Sequence, residues 1–243
     1  AADGIESTIA RRAGLNTTNQ LIDVESGFQF EIANLKLGDL KKLQLNFGKN
    51  VAPRGYVWIF PKGKDVANVG IGIAPSEHSA RYYLEKFIKE RPEIFSKAGI
   101  VEVNAGGIPV GGLLENMVLN GFAAVGDAAH QVNALHGGGL HESTTAGRIL
   151  ADVIEKCIKK GDLSQEALSE YNKLWWDARG KKLERIGKIR QAYDKMTDED
   201  MNIIADSLSG EDLLSMVKGS KLLGLGNLWI KHTNLLGLFK HIV

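Results

Sequence analysis

Two runs of alternating side chains, separated by a short loop, give the clearest structural signal in the sequence. Residues 55–60 read Gly-Tyr-Val-Trp-Ile-Phe and residues 66–73 read Val-Ala-Asn-Val-Gly-Ile-Gly-Ile, with Pro-Lys-Gly-Lys-Asp between them. This is the pattern of a β-hairpin. Successive strand residues point to opposite faces, so Tyr56, Trp58 and Phe60 share one face and Val57 and Ile59 the other. On the second strand Val69, Ile71 and Ile73 share a face, leaving Asn68, Gly70 and Gly72 opposite, where glycine exposes backbone and leaves space. The simplest register sets Trp58 across from Asn68 and Tyr56 across from Gly70. That arrangement is an aromatic wall beside a floor without side chains, a slot for a flat or long apolar ligand. The competing reading is a core in which the aromatics pack over the glycines.

The remaining pattern divides into three zones. Residues 23–109 read mainly as strands, interrupted by one helix over 77–91 that is rich in Ala, Leu, Glu and Lys. Residues 118–125 predict a short, mostly buried strand that ends in Gly126-Asp127-Ala128-Ala129. Beyond Gly137-Gly138-Gly139-Leu140, the residues Ala146, Ile149, Leu150, Val153, Ile154, Cys157 and Ile158 recur at helical spacing, which makes Cys157 a buried thiol on an apolar stripe. At the start, Ile5, Ile9 and Ala13 predict a helix stopped by Gly14. From about residue 161 the chain reads as helical, with Ser164 as an N-cap and charges that run from Glu166, Glu170 and Asp177 to Lys181, Lys182, Arg185, Lys188 and Arg190, a solvated face ordered to suit the helix dipole. Residues 218–243 interleave Lys218, Lys221, Lys231 and Lys240 with leucines and no acid. Such a segment suits an anionic membrane surface, although Gly224, Gly226 and Gly237 favour packing of the leucines against the protein.

Composition narrows the class of protein. The chain has 243 residues, 44% hydrophobic and 24% charged, with thirty basic and twenty-nine acidic side chains. It is therefore a globular chain long enough to bury a proper core, and its net charge of +1 gives no overall attraction to nucleic acid. A single cysteine excludes a disulfide framework and leans towards a reducing compartment, so the expected location is cytoplasmic. The chain opens Ala1-Ala2-Asp3-Gly4 without methionine, as though it joined a fold already in progress.

The candidate chemistry lies at the glycines. Three successive glycines before a helix lose much backbone entropy on folding, and close approach of a ligand to the backbone is one compensating reason. A helix N-terminus carries unpaired N–H groups and roughly half an elementary positive charge, so it favours an anion or an electron-rich carbonyl. The sequence lacks the Gly-Lys-Ser/Thr of a phosphate-binding loop and has no G-x-G-x-x-G after a strand. A reduced flavin, whose negative charge spreads over its pyrimidine edge, fits this setting better, with Asp127 placed to accept hydrogen bonds from ribityl hydroxyls. For an isolated Gly-Asp, a turn or cap residue is the commoner case.

These motifs together carry a resemblance. Ala2-Asp3-Gly4-Ile-Glu-Ser7, Gly126-Asp127-Ala128-Ala129 and Gly137-Gly138-Gly139 occur in the order seen in FAD-dependent glutathione-reductase-type oxygenases and reductases. Tyr56-Val-Trp-Ile-Phe-Pro-Lys-Gly63 followed by Ala67-Asn-Val-Gly-Ile-Gly72 resembles the geranylgeranyl reductase family, and the chain is similar to the C-terminal portion of such an enzyme, without the N-terminal dinucleotide motif. The resemblance implies an α+β or α/β chain in three parts. Residues 1–16 and 111–160 would be part of a glutathione-reductase-type FAD-binding domain, 17–110 an antiparallel-sheet substrate domain, and 161–243 a helical C-terminal region. It further implies that Asp3, Gly4, Gly126, Asp127, Ala128, Gly137, Gly138, Gly139 and Leu140 hold FAD, and that Tyr56, Trp58, Phe60, Pro61, Asn68 and Gly70 line an isoprenoid site. Ala134 and His136 depart from the proline and the small polar residue usual in the family.

The implied activity is reduction of carbon–carbon double bonds in geranylgeranyl chains, with hydride from flavin N5 and electrons from NAD(P)H or ferredoxin. The implied partners are an isoprenoid lipid and the periphery of a membrane. His136, His141 and Tyr56 are the titratable groups nearest the proposed site in sequence, and none is singled out as the acid. Two other classes stay open, a flavin monooxygenase of the same fold group and a non-catalytic lipid-binding module.

Overall fold

The computed structural model describes residues 1–207 and 209–217. The described chain forms two compact units, one of Val24–Ile108 and one that joins Ala1–Asp23 to the residues from Pro109 onward. The first element is helix α1 (Thr8–Ala13), capped by Ser7, which accepts from Ala10 N–H, and closed by Gly14 in the left-handed conformation. Its buried residue is Ala10, whereas Ile9 is 52% exposed and Ala13 lies at the surface. The Ile5, Ile9, Ala13 stripe is therefore not the buried face. Capping by Ser7 starts the helix after Ile5, and only six residues remain to set its rotation.

The Val24–Ile108 unit is a sheet with helices packed on one face. Its strands are β1 (Val24–Ala33), β2 (Gln44–Asn46), β3 (Tyr56–Pro61), β4 (Ala67–Ile73) and β5 (Gly99–Pro109), in the order β2-β3-β4-β1-β5. The β1–β4, β2–β3 and β3–β4 pairs are antiparallel. Helix α2 (Ala80–Lys89) begins at Ser79, whose hydroxyl accepts from Tyr82 N–H, and α3 (Pro92–Phe95) begins at a proline, which loses nothing at a position with no intrahelical donor. Leu84, Phe87 and Phe95 pack with Phe30, Ile32, Val57, Ile59, Val69, Ile71 and Ile73 to form the core of this unit.

The aliphatic face of the hairpin is thus the core face, and Tyr56, Trp58 and Phe60 stand half-buried on the other. The register lies two residues from the simplest expectation: Tyr56 pairs with Gly72, Trp58 with Gly70 and Phe60 with Asn68. The loop closes one residue later on each strand, because Lys62 and Gly63 N–H both donate to Val66 O and Pro61 pairs with Ala67. A shift of two preserves every face assignment.

The glycine floor is not empty. A Cβ on Gly70 would lie 2.3 Å from the Trp58 ring, so the indole occupies the space the glycine leaves. The indole Nε1–H donates to Gln29 Oε1 at 3.0 Å. Gly70→Ala is expected to push Trp58 off this seat and destabilise the chain by about 1–3 kcal/mol. Denaturant unfolding together with near-ultraviolet circular dichroism checks this, and unchanged values for both would contradict the packing.

In the other unit the expected strand over 118–125 is a two-stranded hairpin. β6 (Val118–Leu119) and β7 (Phe122–Ala123) are joined by Asn120-Gly121, with Gly121 at φ 66°. Asn-Gly is a strong turn signal and outweighs the apolar run around it. A 3₁₀ turn (Gly126–Ala129) follows, then α4 (Leu140–Lys160), α5 (Gln165–Leu168), α6 (Glu170–Trp175), a π-helical turn (Trp176–Gly180), α7 (Lys181–Tyr193), α8 (Asp198–Ser207) and α9 (Gly210–Val217). Ser164 caps α5 as expected. Ala146, Leu150, Val153 and Cys157 bury the α4 stripe against Leu168, Tyr171, Trp175, Leu183 and Ile186, while Ile158 is 62% exposed. Among the described residues no helix is long and apolar enough to cross a membrane, and no cluster of His, Cys, Asp and Glu could hold a metal ion. The lysine- and leucine-rich segment 218–243 lies outside the described residues.

Candidate functional site

The turn of Gly126–Ala129 and the start of α4 come together. Gly126 adopts φ 71°, which glycine enters without strain, and its N–H donates to Gln131 Oε1 at 2.7 Å. Gln131 is fully buried, and its Nε2 donates to Tyr171 Oη at 2.8 Å, whose pKa burial pushes up to about 12. This chain of bonds fixes the Val125–Gly126 peptide just before Asp127. A Cβ on Gly139 would lie 2.7 Å from Asp127 Oδ1, so the carboxylate reaches the backbone at the head of α4 only because residue 139 has no side chain.

The Asp127 carboxylate makes no hydrogen bond or ion pair to the described residues, and burial raises its pKa above the ordinary aspartate value. Beside it, α4 starts at Gly139 with no side-chain cap, leaving first-turn N–H groups and the positive end of a 21-residue helix unanswered by side chains. Leu140 at its head is 89% exposed. An acceptor-only carboxylate next to unpaired donors fits a ligand that brings hydroxyls on one side and electron-rich oxygens on the other.

The Asp127 shift has a consequence for stability. A folded-state pKa raised above the unfolded value contributes stability below the unfolded pKa and loses it as pH rises through the folded one. At neutral pH the charged carboxylate therefore weakens the ligand-free fold. Asp127→Asn is expected to raise the thermal midpoint of the ligand-free chain at pH 7, with the gain vanishing below about pH 4, where aspartate is protonated in both states. Scanning calorimetry across that range checks it, and a midpoint lowered at pH 7 would refute it.

The glycine turn is held from inside and outside. His136 Nδ1 accepts from Gly138 N–H at 3.0 Å, which sets the ring proton on Nε2, and burial lowers the His136 pKa. Gly137 N–H donates to Asn133 O, and Asn133 N–H to Gly138 O. Arg190, only 5% exposed, donates from Nη1 to Ala134 O at 3.0 Å, and Arg179 in the π turn makes a bidentate pair with Glu142, itself 3% exposed. The loop from Ala134 to Glu142 is thus anchored at both ends by the helices that follow α4.

The basic residues of this helical region are not all a solvated face, since Arg190 and Arg179 turn inward. Sequence did not reveal these anchors, because nothing in the spacing of an arginine marks which carbonyl or carboxylate the fold brings to it. Asp127 and Gly139 are brought together as described, with Gly126 close to Ser143 and Ala128 buried. Asp3 lies at the start of α1, accepting from Ile9 N–H and Ser7 Oγ, and these bonds hold its pKa below the ordinary value. Gly4 follows it with φ 81°. His141 is exposed at the head of α4.

In the sheet unit, Tyr56, Trp58 and Phe60 form one continuous row, their ring centroids 5.8 Å and 6.0 Å apart. Leu45 pairs with Trp58 and extends the row onto β2, and Phe47 contacts Tyr56 with centroids 5.6 Å apart. Leu45 and Phe47 were missed because β2 is only three residues long. Pro61 follows Phe60 at the end of β3 and falls on the opposite face, Asn68 lies opposite Phe60, and Gly70 seats Trp58.

Residues 23–108 match the family described as the geranylgeranyl reductase catalytic domain. The chain is 38% identical, over 87% of its length, to the digeranylgeranylglycerophospholipid reductase of Methanocella arvoryzae, of which it covers 54%. It is 40% identical, over 91% of its length, to digeranylgeranylglycerophospholipid reductase 2 of Methanothermobacter thermautotrophicus, of which it covers 57%. The chain thus spans little more than half the length of these relatives. Among solved structures it superposes on a geranylgeranyl bacteriochlorophyll reductase-like protein of Thermoplasma acidophilum with a TM-score of 0.83 and 27% identity, over 97% of this chain and 61% of that one. A flavin-dependent halogenase shares the fold at a TM-score of 0.60 and 17% identity, over 96% of this chain and 41% of the halogenase.

Proposed function

Because the chain carries the geranylgeranyl reductase catalytic domain and is similar over most of its length to digeranylgeranylglycerophospholipid reductases, we propose that it is the C-terminal portion of an FAD-dependent reductase of carbon–carbon double bonds in geranylgeranyl lipids. The observation that carries the flavin part is the half-buried Asp127 carboxylate, without a partner among the described residues, beside the uncapped head of α4. An acid buried at a cost beside unanswered helix donors supports a ligand site there.

FAD, when bound, would supply the hydride that an isolated alkene requires. The chain's own contribution is binding and electrostatics. Asp127 would accept hydrogen bonds from ribityl hydroxyls. The N–H groups at Gly139 and Leu140, with the α4 dipole behind them, would favour negative charge on the pyrimidine edge. His136 would hold the Gly138 peptide and so the aim of the turn. The row of Leu45, Phe47, Tyr56, Trp58 and Phe60 would take the isoprenoid chain and keep water from it.

The deciding measurement is the visible spectrum of the protein expressed from its complete reading frame, before and after reduction. A flavin spectrum that bleaches on reduction by NAD(P)H or ferredoxin and returns when geranylgeranyl lipid is added supports the proposal. Return driven instead by oxygen with a phenol would make it a monooxygenase, and absence of any retained flavin would leave a lipid-binding module.

A further inference from the structure

We propose that the β2 end of the sheet unit is a docking surface for an anionic lipid bilayer. The surface is the segment 36–43, in which Leu40 and Leu43 are 44% and 67% exposed and Lys36, Lys41 and Lys42 stand exposed around them. Its one acid, Asp39, lies 3.4 Å from the Lys42 ammonium. Antiparallel pairing of Gln44 with Ile59 sets the start of β2 beside the end of β3, where Pro61 leads into the exposed Lys62 and Lys64. Leu35 N–H donates to Asp65 O, which brings Lys36 to the same end. Lys62 is paired with Glu31, and Asp65 is exposed nearby, so lysines outnumber acids around the two leucines without an excess strong enough to repel them from an apolar surface.

The mixture selects the occupant. The core of a protein–protein interface is depleted of lysine. Leucines projecting among lysines instead match a surface that offers hydrocarbon at a shallow depth and negative charge above it. The position also suits the lipid substrate on which this inference rests: next along the chain, Leu45 pairs with Trp58 and begins the apolar row. A substrate tail leaving a bilayer at this edge would meet that row without crossing water. The segment 218–243 was the sequence's candidate for membrane contact, and this surface is separate from it.

Vesicle flotation of the whole protein tests the proposal, with vesicles of phosphatidylcholine alone or mixed in roughly equal parts with phosphatidylglycerol. Binding is expected to the mixed vesicles and not to phosphatidylcholine alone. It should weaken severalfold in about 0.5 M salt, as the screening length shortens. Lys41→Glu with Lys42→Glu is expected to weaken it at least about tenfold, and Leu40→Ser with Leu43→Ser likewise, while the flavin spectrum and thermal midpoint of both variants stay as in the wild type. Equal binding to neutral vesicles would overturn the proposal. So would full binding by the glutamate variant when Lys221→Glu with Lys231→Glu abolishes it, or self-association that the serine variant breaks. Reductase activity on lipid in detergent micelles separates the two claims. Vesicle binding without such activity sinks the reductase and leaves the docking surface, and activity without vesicle binding does the reverse.

Discussion

A Glu142→Ala chain is expected to unfold roughly 6–12 °C below the wild type, a loss of about 3 kcal/mol. Glu142 is 3% exposed and accepts both arms of the Arg179 guanidinium, and that pairing raises the Arg179 pKa above its ordinary value. Removing the acid leaves a largely buried cation with no counter-charge. The Arg179 side chain keeps 19% exposure and can reach some water, which places the loss at the lower end of what breaking a buried pair costs. Glu142→Gln keeps one acceptor and should lose less. Glu142→Leu with Arg179→Met, which removes both charges, should recover part of the loss. Calorimetry of the four chains checks the order, and an unchanged midpoint for Glu142→Ala would show that the pair does not hold the glycine loop. Because the loop also hangs from Arg190 at Ala134 O, the single variant should loosen the head of α4 more than the turn at its start.

The second large effect concerns flavin retention. Asp127→Ala removes a charged acceptor, and a hydrogen bond to a charged group is worth about 1.5–3 kcal/mol, so flavin should bind roughly ten- to hundredfold more weakly. Gly139→Ala should cost a similar factor by a different route. Its Cβ would lie 2.7 Å from Asp127 Oδ1 and 3.4 Å from Val132, so the carboxylate must swing aside. If the glycine acts through the aspartate, the double variant binds no more weakly than the worse single variant. Fluorescence titration of the ligand-free protein with FAD measures all three. Additive losses would mean that Gly139 serves the ligand directly, and no loss in either would remove Asp127 from the site. The ligand-free Asp127→Asn chain gains stability at neutral pH on the argument given above, so stability and retention should move in opposite directions at this one residue.

The alternation over 55–73 was legible because one face of the hairpin is buried, and a strand so placed must repeat with period two. The sequence therefore placed the hairpin and assigned Val57, Ile59, Val69, Ile71 and Ile73 to a single face each. It did not give the register, since nothing in the composition of the loop decides whether Val66 ends a strand or closes the turn. Nor did it show that Trp58 would lie over Gly70. The N-terminal stripe failed for a related reason, because six residues of α1 leave its rotation to the packing of Ala10 and not to periodicity. The break at Asn120-Gly121 was legible in principle, and the apolar run on either side concealed it.

By itself, the sequence determined most of the strands and helices, which aromatic residues share a face and which glycines leave the backbone without a side chain. These are local properties, set by side-chain period and by the presence or absence of a Cβ. Tertiary structure alone decided that Asp127 meets Gly139, that Arg179 and Arg190 turn inward to Glu142 and Ala134, and that Leu45 continues the aromatic row. Each of these joins residues far apart in the chain, through partners whose identity depends on how the elements pack, and no local pattern records that.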